Sequence, residues 1–269
     1  MSSRRELVDR LEHHELFAKK ALGQNFLVDP SALDAIADAV GEAPLVVEIG
    51  PGPGTLTERL LARAERVVAI EKDRRFVPVL EGLAGADALE VVNADFLATP
   101  LAPIVGDVRA PVVGNIPYNI TTPILLSLLT QRAVTGHAVI MMQREVADRL
   151  VARVGTKRYG SLTVLFSVHA EIRTVRNVPA GCFVPRPRVD STVLRFDWRD
   201  APAVDIGDPT HFEAVVRAAF GQRRKTLRNA LSARFDREVV LRGGDVVDLS
   251  RRAETLDLET FAALASALA

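Results

Sequence analysis

Between Leu45 and Val154 short aliphatic runs alternate with stretches of helical spacing, and this alternation limits the chain to very few architectures. The runs are Leu45–Ile49, Val67–Glu71, Leu89–Asn93, a run around Val112-Val113, and Ala138–Met142. Helical spacing is found over Thr55–Ala64, Arg74–Leu83 (despite Pro78), Thr121–Leu129 and Arg144–Val154. Strands joined through helices over short loops pair in parallel and build a doubly wound sheet with helices on its faces. Right-handed crossovers bring the carboxyl ends of those strands to one edge, where such folds bind ligands. The fold expected is α/β and Rossmann-like.

Elements outside this block follow other signals. Arg4–Glu15 reads as a short polar helix, and Lys19–Leu27 as an irregular basic segment. Asp29-Pro30 opens a helix that carries Leu33, Ile36, Ala37 and Val40 on one face and closes at Gly41. Leu162, Leu165, Phe166 and His169 share a helical face. Ile172–Val175 and Val189–Phe196 read as strands joined by a Pro-rich loop. After Ala201 the pattern is helical only, over Thr210–Phe220, Arg224–Phe235 and Asp257–Leu268, the last with a capping Asp257 and a staple of Leu256 with Phe261. Two domains are expected, residues 1–200 around the sheet and a small all-helical domain over 201–269.

No apolar stretch approaches the ~20 residues of a bilayer span. Met1-Ser2-Ser3 leads into charged sequence rather than a leader's apolar region. The lone Cys182 excludes an internal disulfide and a multi-cysteine metal site. A cytoplasmic protein is expected. The 34 basic and 34 acidic residues balance, but their placement does not. Arg217–Arg237 holds seven Lys/Arg, including Arg223, Arg224, Lys225 and Arg228, against the single acid Asp236. Arg173–Arg188 holds four arginines, Arg186 and Arg188 among them, and no acid. Two basic clusters in a balanced chain mark a phosphate-backbone footprint.

Glu48-Ile-Gly50-Pro-Gly52-Pro-Gly54 joins the first strand to its helix, and its glycines let a ligand approach the backbone closely. The dinucleotide spacing G-x-G-x-x-G fails, because Thr55 or Thr57 stands where the third glycine belongs. Prolines 51 and 53 also lack the amides a pyrophosphate would use. The loop suits a nucleoside with an amino-acid tail. Glu71, ending the second strand, is placed to accept from both ribose hydroxyls. Asp95, after the third strand, is placed to accept from an adenine amino group, with Phe96 against the ring. The cofactor implied is S-adenosylmethionine, leaving as S-adenosylhomocysteine.

Asn115-Ile116-Pro117-Tyr118 follows the fourth strand at the same edge. The Asn115 side-chain oxygen and the Ile116 carbonyl can both accept from an exocyclic amine, and Tyr118 can lie against the ring that carries it. Acceptors on both hydrogens localise the nitrogen lone pair for in-line attack on a sulfonium methyl, so catalysis is positioning and electrostatics. A base inside a duplex cannot enter such a slot, so the target is single-stranded or flipped out. Phe183, between the prolines of Val178–Arg188, is the candidate for stacking on the opposite face.

These residues, with Lys20–Leu27, Gly54–Thr57, Asn115–Ile120, Phe183–Ser191 and Gln222–Leu227, resemble the ribosomal RNA adenine dimethyltransferases, specifically the bacterial small-subunit enzymes linked to kasugamycin sensitivity. The resemblance runs from about Lys19 to the end. It implies a Rossmann-like methyltransferase sheet and transfer of four methyl groups to two adjacent adenosines near the 3′ end of small-subunit rRNA. It implies that Asn25 and Leu27 line the cofactor pocket with Gly50, Glu71, Asp95 and Asn115, to which the glycine loop adds Gly52, and that Asn115 and Tyr118 form the adenine slot with Phe183 stacking. The partner implied is the immature 30S particle, met by a monomer. Two rivals stand beside it: a large-subunit methyltransferase of the macrolide-resistance type, and an assembly factor whose catalysis is secondary. Val189-Asp190-Ser191 and Gln222-Arg-Arg-Lys-Thr226 favour the small-subunit type.

Overall fold

The computed structural model describes residues 4–269, so Met1-Ser2-Ser3, where the reading of an absent leader begins, lie outside the described residues. In chain order the elements are α1 (Arg4–His13), β1 (Phe26–Leu27), α2 (Pro30–Val40), β2 (Ala43–Ile49), α3 (Thr57–Leu61), β3 (Ala64–Ile70), α4 (Val77–Glu81) and β4 (Leu89–Val92). There follow α5 (Ala102–Val105), β5 (Ala110–Asn115), α6 (Thr121–Thr130), β6 (Thr135–Gln143), α7 (Arg144–Leu150), α8 (Ser161–His169), β7 (Ala170–Val178), β8 (Phe183–Val184) and β9 (Ser191–Trp198). The remaining helices are α9 (Pro209–Gly221), α10 (Leu227–Leu231), α11 (Arg237–Arg242) and α12 (Leu258–Ala267).

The main sheet has the order β4-β3-β2-β5-β6-β9-β7. β4 through β6 pair in parallel, and β9 runs antiparallel to β6. β2 therefore leads to β3 on one side while β5 lies on the other, which makes the β2/β5 border the topological switch point. Val46, Val47, Val67, Val68, Val112 and Val113 are fully buried, as strands covered on both faces must be. α2 closes one face: Asp29 caps it by accepting from the Ala32 amide at 2.8 Å, and Leu33, Ile36 and Val40 pack with Leu60, Val139 and Val193.

Contact density separates the residues up to Ala147, together with Arg173–Trp198, from a second unit of Asp148–Ile172 and Arg199–Ala269. The C-terminal part of the second unit thus starts at Arg199 rather than 201, and the unit also takes in Asp148–Ile172, which was expected within the domain of residues 1–200. Within this unit α8 packs on α9, and the amides of Arg199 and Ala203 donate to the carbonyls of His169 and Val168. The cap of α12 is as expected, with Asp257 accepting from the Thr260 amide and both Leu256 and Phe261 fully buried.

The single helix expected over Arg224–Phe235 is not formed. α9 ends at Gly221, residues 222–226 turn, and α10 restarts after an extended Thr226. The amides of Leu227 and Arg228 donate to Arg251 and Leu249 carbonyls instead of to a preceding helical turn. The basic residues therefore sit on a turn and a short helix. The irregular reading of Lys19–Leu27 also needs correction, since Phe26–Leu27 pairs antiparallel with Phe183–Val184.

Candidate active site

A cavity of about 190 Å³ opens within the first unit at the carboxyl ends of β2, β3 and β5, beside the switch point. From the loop after β2 come Gly50 and Gly52; Glu71 follows β3, and Asp95 and Phe96 follow β4. Asn115, Ile116 and Tyr118 come from β5 and the turn after it, while Asn25 and Leu27 close the cavity from the segment before α2. Residues far apart in the chain meet here because parallel strands end at one edge.

The glycine loop has no amide to spare. Gly50 donates to the Ile70 carbonyl at 2.9 Å, Gly52 to Glu71 Oε2 at 2.9 Å and Gly54 to the Pro51 carbonyl at 3.1 Å, while residues 51 and 53 are prolines. A diphosphate needs several converging N–H groups and finds none in this stretch. The loop fits a ligand that presents no phosphate to it. Gly52 also needs to be glycine, since its φ is +55° and a Cβ would lie 3.0 Å from Cε1 of Phe26. Gly52→Ala is expected to cost about 1–2 kcal/mol for the left-handed backbone alone, read as a lower denaturant midpoint. An unchanged midpoint would show that the loop relaxes freely.

Glu71 is buried; Oε2 accepts from Gly52 and Oε1 from the Asp73 amide at 2.6 Å. A carboxylate offers roughly four lone-pair directions, so one remains on each oxygen for incoming hydroxyls. Burial, with the nearby Asp73 charge, pushes its pKa up, and backbone amides of Asp73, Gly52 and Lys72 hold it back. Asp73 is held down at about 2, mainly by hydrogen bonds from Arg75. Asp95 Oδ1 accepts from the Leu97 amide at 3.0 Å and Oδ2 pairs with Lys72 Nζ at 2.7 Å, which keeps Asp95 ionised as an acceptor at the cavity wall.

Glu48 has no role in the sequence reading beyond its place in the motif, yet it lines the cavity at 2 % exposure. Its Oε2 accepts from Thr57 Oγ1 at 2.7 Å. Burial, helped by the nearby Glu71 charge, raises its pKa from 4.5 to about 8 against the Thr57 hydrogen bond. The signal in the sequence was a carboxylate inside the otherwise apolar run Val46-Val47-Glu48-Ile49. Because the folded chain keeps a proton that the unfolded chain releases, this contribution to stability is full below pH 4.5 and is lost as pH rises through about 8. Relative to Glu48→Gln, wild-type stability is expected to fall by up to about 1.4 kcal/mol per pH unit across that window. Thermal unfolding of both proteins from pH 5 to about 8.5 measures it, and a pH-independent difference would mean that Glu48 is ionised in the fold.

On the opposite wall, Asn115 Nδ2 donates to the Asn25 carbonyl at 2.9 Å. A carbonyl can be faced only by the amide nitrogen, so the pairing sets which way the carboxamide is turned and leaves its oxygen as an acceptor. This assigns Asn25 a position through its backbone. Gln24, on the same segment, donates to Asp73 Oδ2 at 3.0 Å. The Ile116 side chain is buried and its amide donates to the Met141 carbonyl at 3.3 Å. Tyr118 shares a 2.7 Å hydrogen bond with the buried Ser191, which anchors the phenol, and burial raises its pKa. Ser191 enters the sequence reading only as part of a motif, and its contact with Tyr118 is a tertiary one.

Phe183 is not in the cavity. Paired opposite Leu27, it is fully buried in the cluster that holds Leu33, Ile36 and Val193. The prolines expected to hold it out of the core instead accompany a short strand that turns its ring inward. Arg186 and Arg188 are exposed, as are Arg223, Arg224, Lys225 and Arg228, and Arg223 is in addition engaged by other residues of its own unit. Among the described residues no group of three or more His, Cys, Asp or Glu is arranged to hold a metal ion.

The family model for "Ribosomal RNA adenine dimethylase" matches residues 16–269. The chain belongs to the ribosomal RNA adenine dimethylase family. Among relatives of this dimethylase is the ribosomal RNA small subunit methyltransferase A of Bacillus mycoides, 44 % identical over 97 % of this chain and 94 % of that protein. Among solved structures, a dimethyladenosine transferase from Plasmodium falciparum is similar with a TM-score of 0.73 at 27 % identity, covering 89 % of this chain and 95 % of that one. The 23S rRNA methyltransferase ErmE is similar with a TM-score of 0.69 at 30 % identity, covering 90 % of this chain and 99 % of that one.

Proposed function

We propose that this protein dimethylates the N6 amines of two adjacent adenosines near the 3′ end of small-subunit rRNA, with S-adenosylmethionine as methyl donor. The carrying observation is the Asn115 carboxamide, turned by the Asn25 carbonyl so that its oxygen is the acceptor at the rim of the cavity. Bound there, S-adenosylmethionine supplies an electrophilic sulfonium methyl. Glu71 accepts from the ribose hydroxyls and Asp95 from the cofactor's own adenine amine, with Phe96, Asn25, Leu27, Gly50 and Gly52 shaping the pocket. The Asn115 oxygen and the Ile116 carbonyl take the two hydrogens of the target amine and localise its lone pair. Tyr118 supplies the stacking face, which contributes ~1–3 kcal/mol for an unstacked base. Phe183 is left out of this assignment.

The same reading makes the 1–200 region the catalytic domain and the helical domain from 201 an rRNA-binding one, with Arg186, Arg188, Arg224, Lys225 and Arg228 toward phosphates. It gives the substrate as the immature 30S particle, met in the cytoplasm by a monomer. No helix among the described residues is long and apolar enough to cross a membrane. The 44 % identity over 97 % of the chain to a relative named as a small-subunit methyltransferase supports the small subunit as target. Incubation of immature 30S and 50S particles with labelled S-adenosylmethionine, followed by mass spectrometry of the rRNA, tests this. Dimethyladenosine at two neighbouring positions of the small-subunit RNA is expected, and label confined to the large subunit would overturn it.

A further inference from the structure

Arg223 was expected among the phosphate ligands, but its guanidinium, although exposed, is engaged by partners in its own unit. It pairs with Glu254 Oε2 at 3.2 Å and donates to the carbonyl of Lys157. The Glu254 backbone carbonyl in turn accepts from the Gly155 amide at 2.7 Å. Two residues from distant parts of the helical unit thus clamp one loop, 153–158, from two sides.

The loop is tied internally as well. The amide and hydroxyl of Thr156 both donate to the Arg153 carbonyl, at 3.2 and 2.7 Å, and the Tyr159 amide donates to the Thr156 carbonyl at 3.1 Å. Gly155 turns the chain at φ +81°, and Tyr159 anchors the far end, buried with its ring edge on Phe220. Yet all six residues from Arg153 to Arg158 are exposed, three of them are cations and none is acidic. Arg158 pairs with Asp148 at 2.8 Å, while Arg153 and Lys157 have no ion pair or side-chain hydrogen bond among the described residues. Val151 and Val154 stay 42 % and 44 % exposed beside them. A loop held this firmly while its cations point to solvent is preorganised for an anion; a merely solvated loop needs no clamp.

We propose that loop 153–158 is a phosphate-binding element for the rRNA, with Arg153 and Lys157 as its ligands and Arg223 and Glu254 as positioning residues. This rests on the rRNA reading above. The ligand is a polyanion because unpaired cations on an ordered backbone gain most from releasing condensed counterions.

The test is equilibrium binding of small-subunit rRNA across a salt series, with far-UV circular dichroism as the fold control. The double variant Arg153→Gln/Lys157→Gln is expected to reduce the salt slope by about 1.4, at roughly 0.7 per single-strand phosphate, and to weaken binding about tenfold near 0.15 M salt. Glu254→Gln separates the two roles of Arg223 by sign. Were Arg223 a direct phosphate ligand, removing its acidic partner would tighten binding. As a loop strut it loses its anchor, so binding weakens and hydrogen exchange of residues 153–159 speeds up in the free protein. An unchanged slope in the double variant, or tighter binding by Glu254→Gln, overturns the proposal. Wild-type protein that binds no rRNA at any salt overturns the proposed function itself and this element with it.

Discussion

Asn115→Ala is expected to lower the methylation rate by about 10²–10³-fold, the usual effect of removing one preorganised group at a reacting centre, with rRNA binding almost unchanged. The side chain sits at the end of β5, in the cavity wall, and belongs to none of the basic segments proposed to meet phosphates. Truncation removes the acceptor for one amine hydrogen and also frees the Asn25 carbonyl, to which Asn115 donates at 2.9 Å. Asn115→Asp is the informative companion. A carboxylate retains an acceptor for the amine but has no N–H for Asn25, so two oxygens would face each other and the group must turn away. Aspartate is therefore expected to fail like alanine. Full activity in the aspartate variant would show that the orientation set by Asn25 is irrelevant. Equal losses of methylation and of rRNA binding in the alanine variant would show that the methyl slot and the RNA footprint are not separate.

Glu71→Gln is expected to raise the cofactor dissociation constant by about 10²-fold, at about 1.4 kcal/mol per decade. Both carboxylate oxygens already accept backbone amides, from Gly52 and from Asp73. An amide side chain must put its NH₂ against one of those N–H groups, and a buried donor left without an acceptor costs about 1–3 kcal/mol. The same change leaves one acceptor where two ribose hydroxyls need two. Both losses act on cofactor binding, and the first also acts on the fold, so calorimetric affinity and thermal midpoint should fall together. Retention of affinity within about threefold would remove Glu71 as the ribose acceptor.

Much of this site was legible because each element carried its own local signal. Apolar runs with helical stretches between them specify parallel strands, and parallel strands place residues 50, 71, 95 and 115 at one edge whatever their separation in sequence. The prolines at 51 and 53 excluded a diphosphate before any geometry, and the internal bonding of the Gly50, Gly52 and Gly54 amides gives the reason in full. What misled was local chemistry overruled at a distance. Stiff prolines around Phe183 suggested an exposed ring, but pairing of Phe183 with Leu27 drew it into the core. Helical spacing suggested one basic helix over Arg224–Phe235, but the carbonyls of Arg251 and Leu249 took the amides of Leu227 and Arg228.

The parallel pairing of the strands, the edge that binds and the kind of ligand it admits were already written in the chain, because they depend on hydrophobic period, glycine and proline, which act over a few residues. The orientation of Asn115, the proton on Glu48, the burial of Phe183 and the engagement of Arg223 were decided only in three dimensions. Each depends on a partner or a desolvated surrounding supplied by a distant segment, and no local pattern encodes which carbonyl, strand or carboxylate will arrive there.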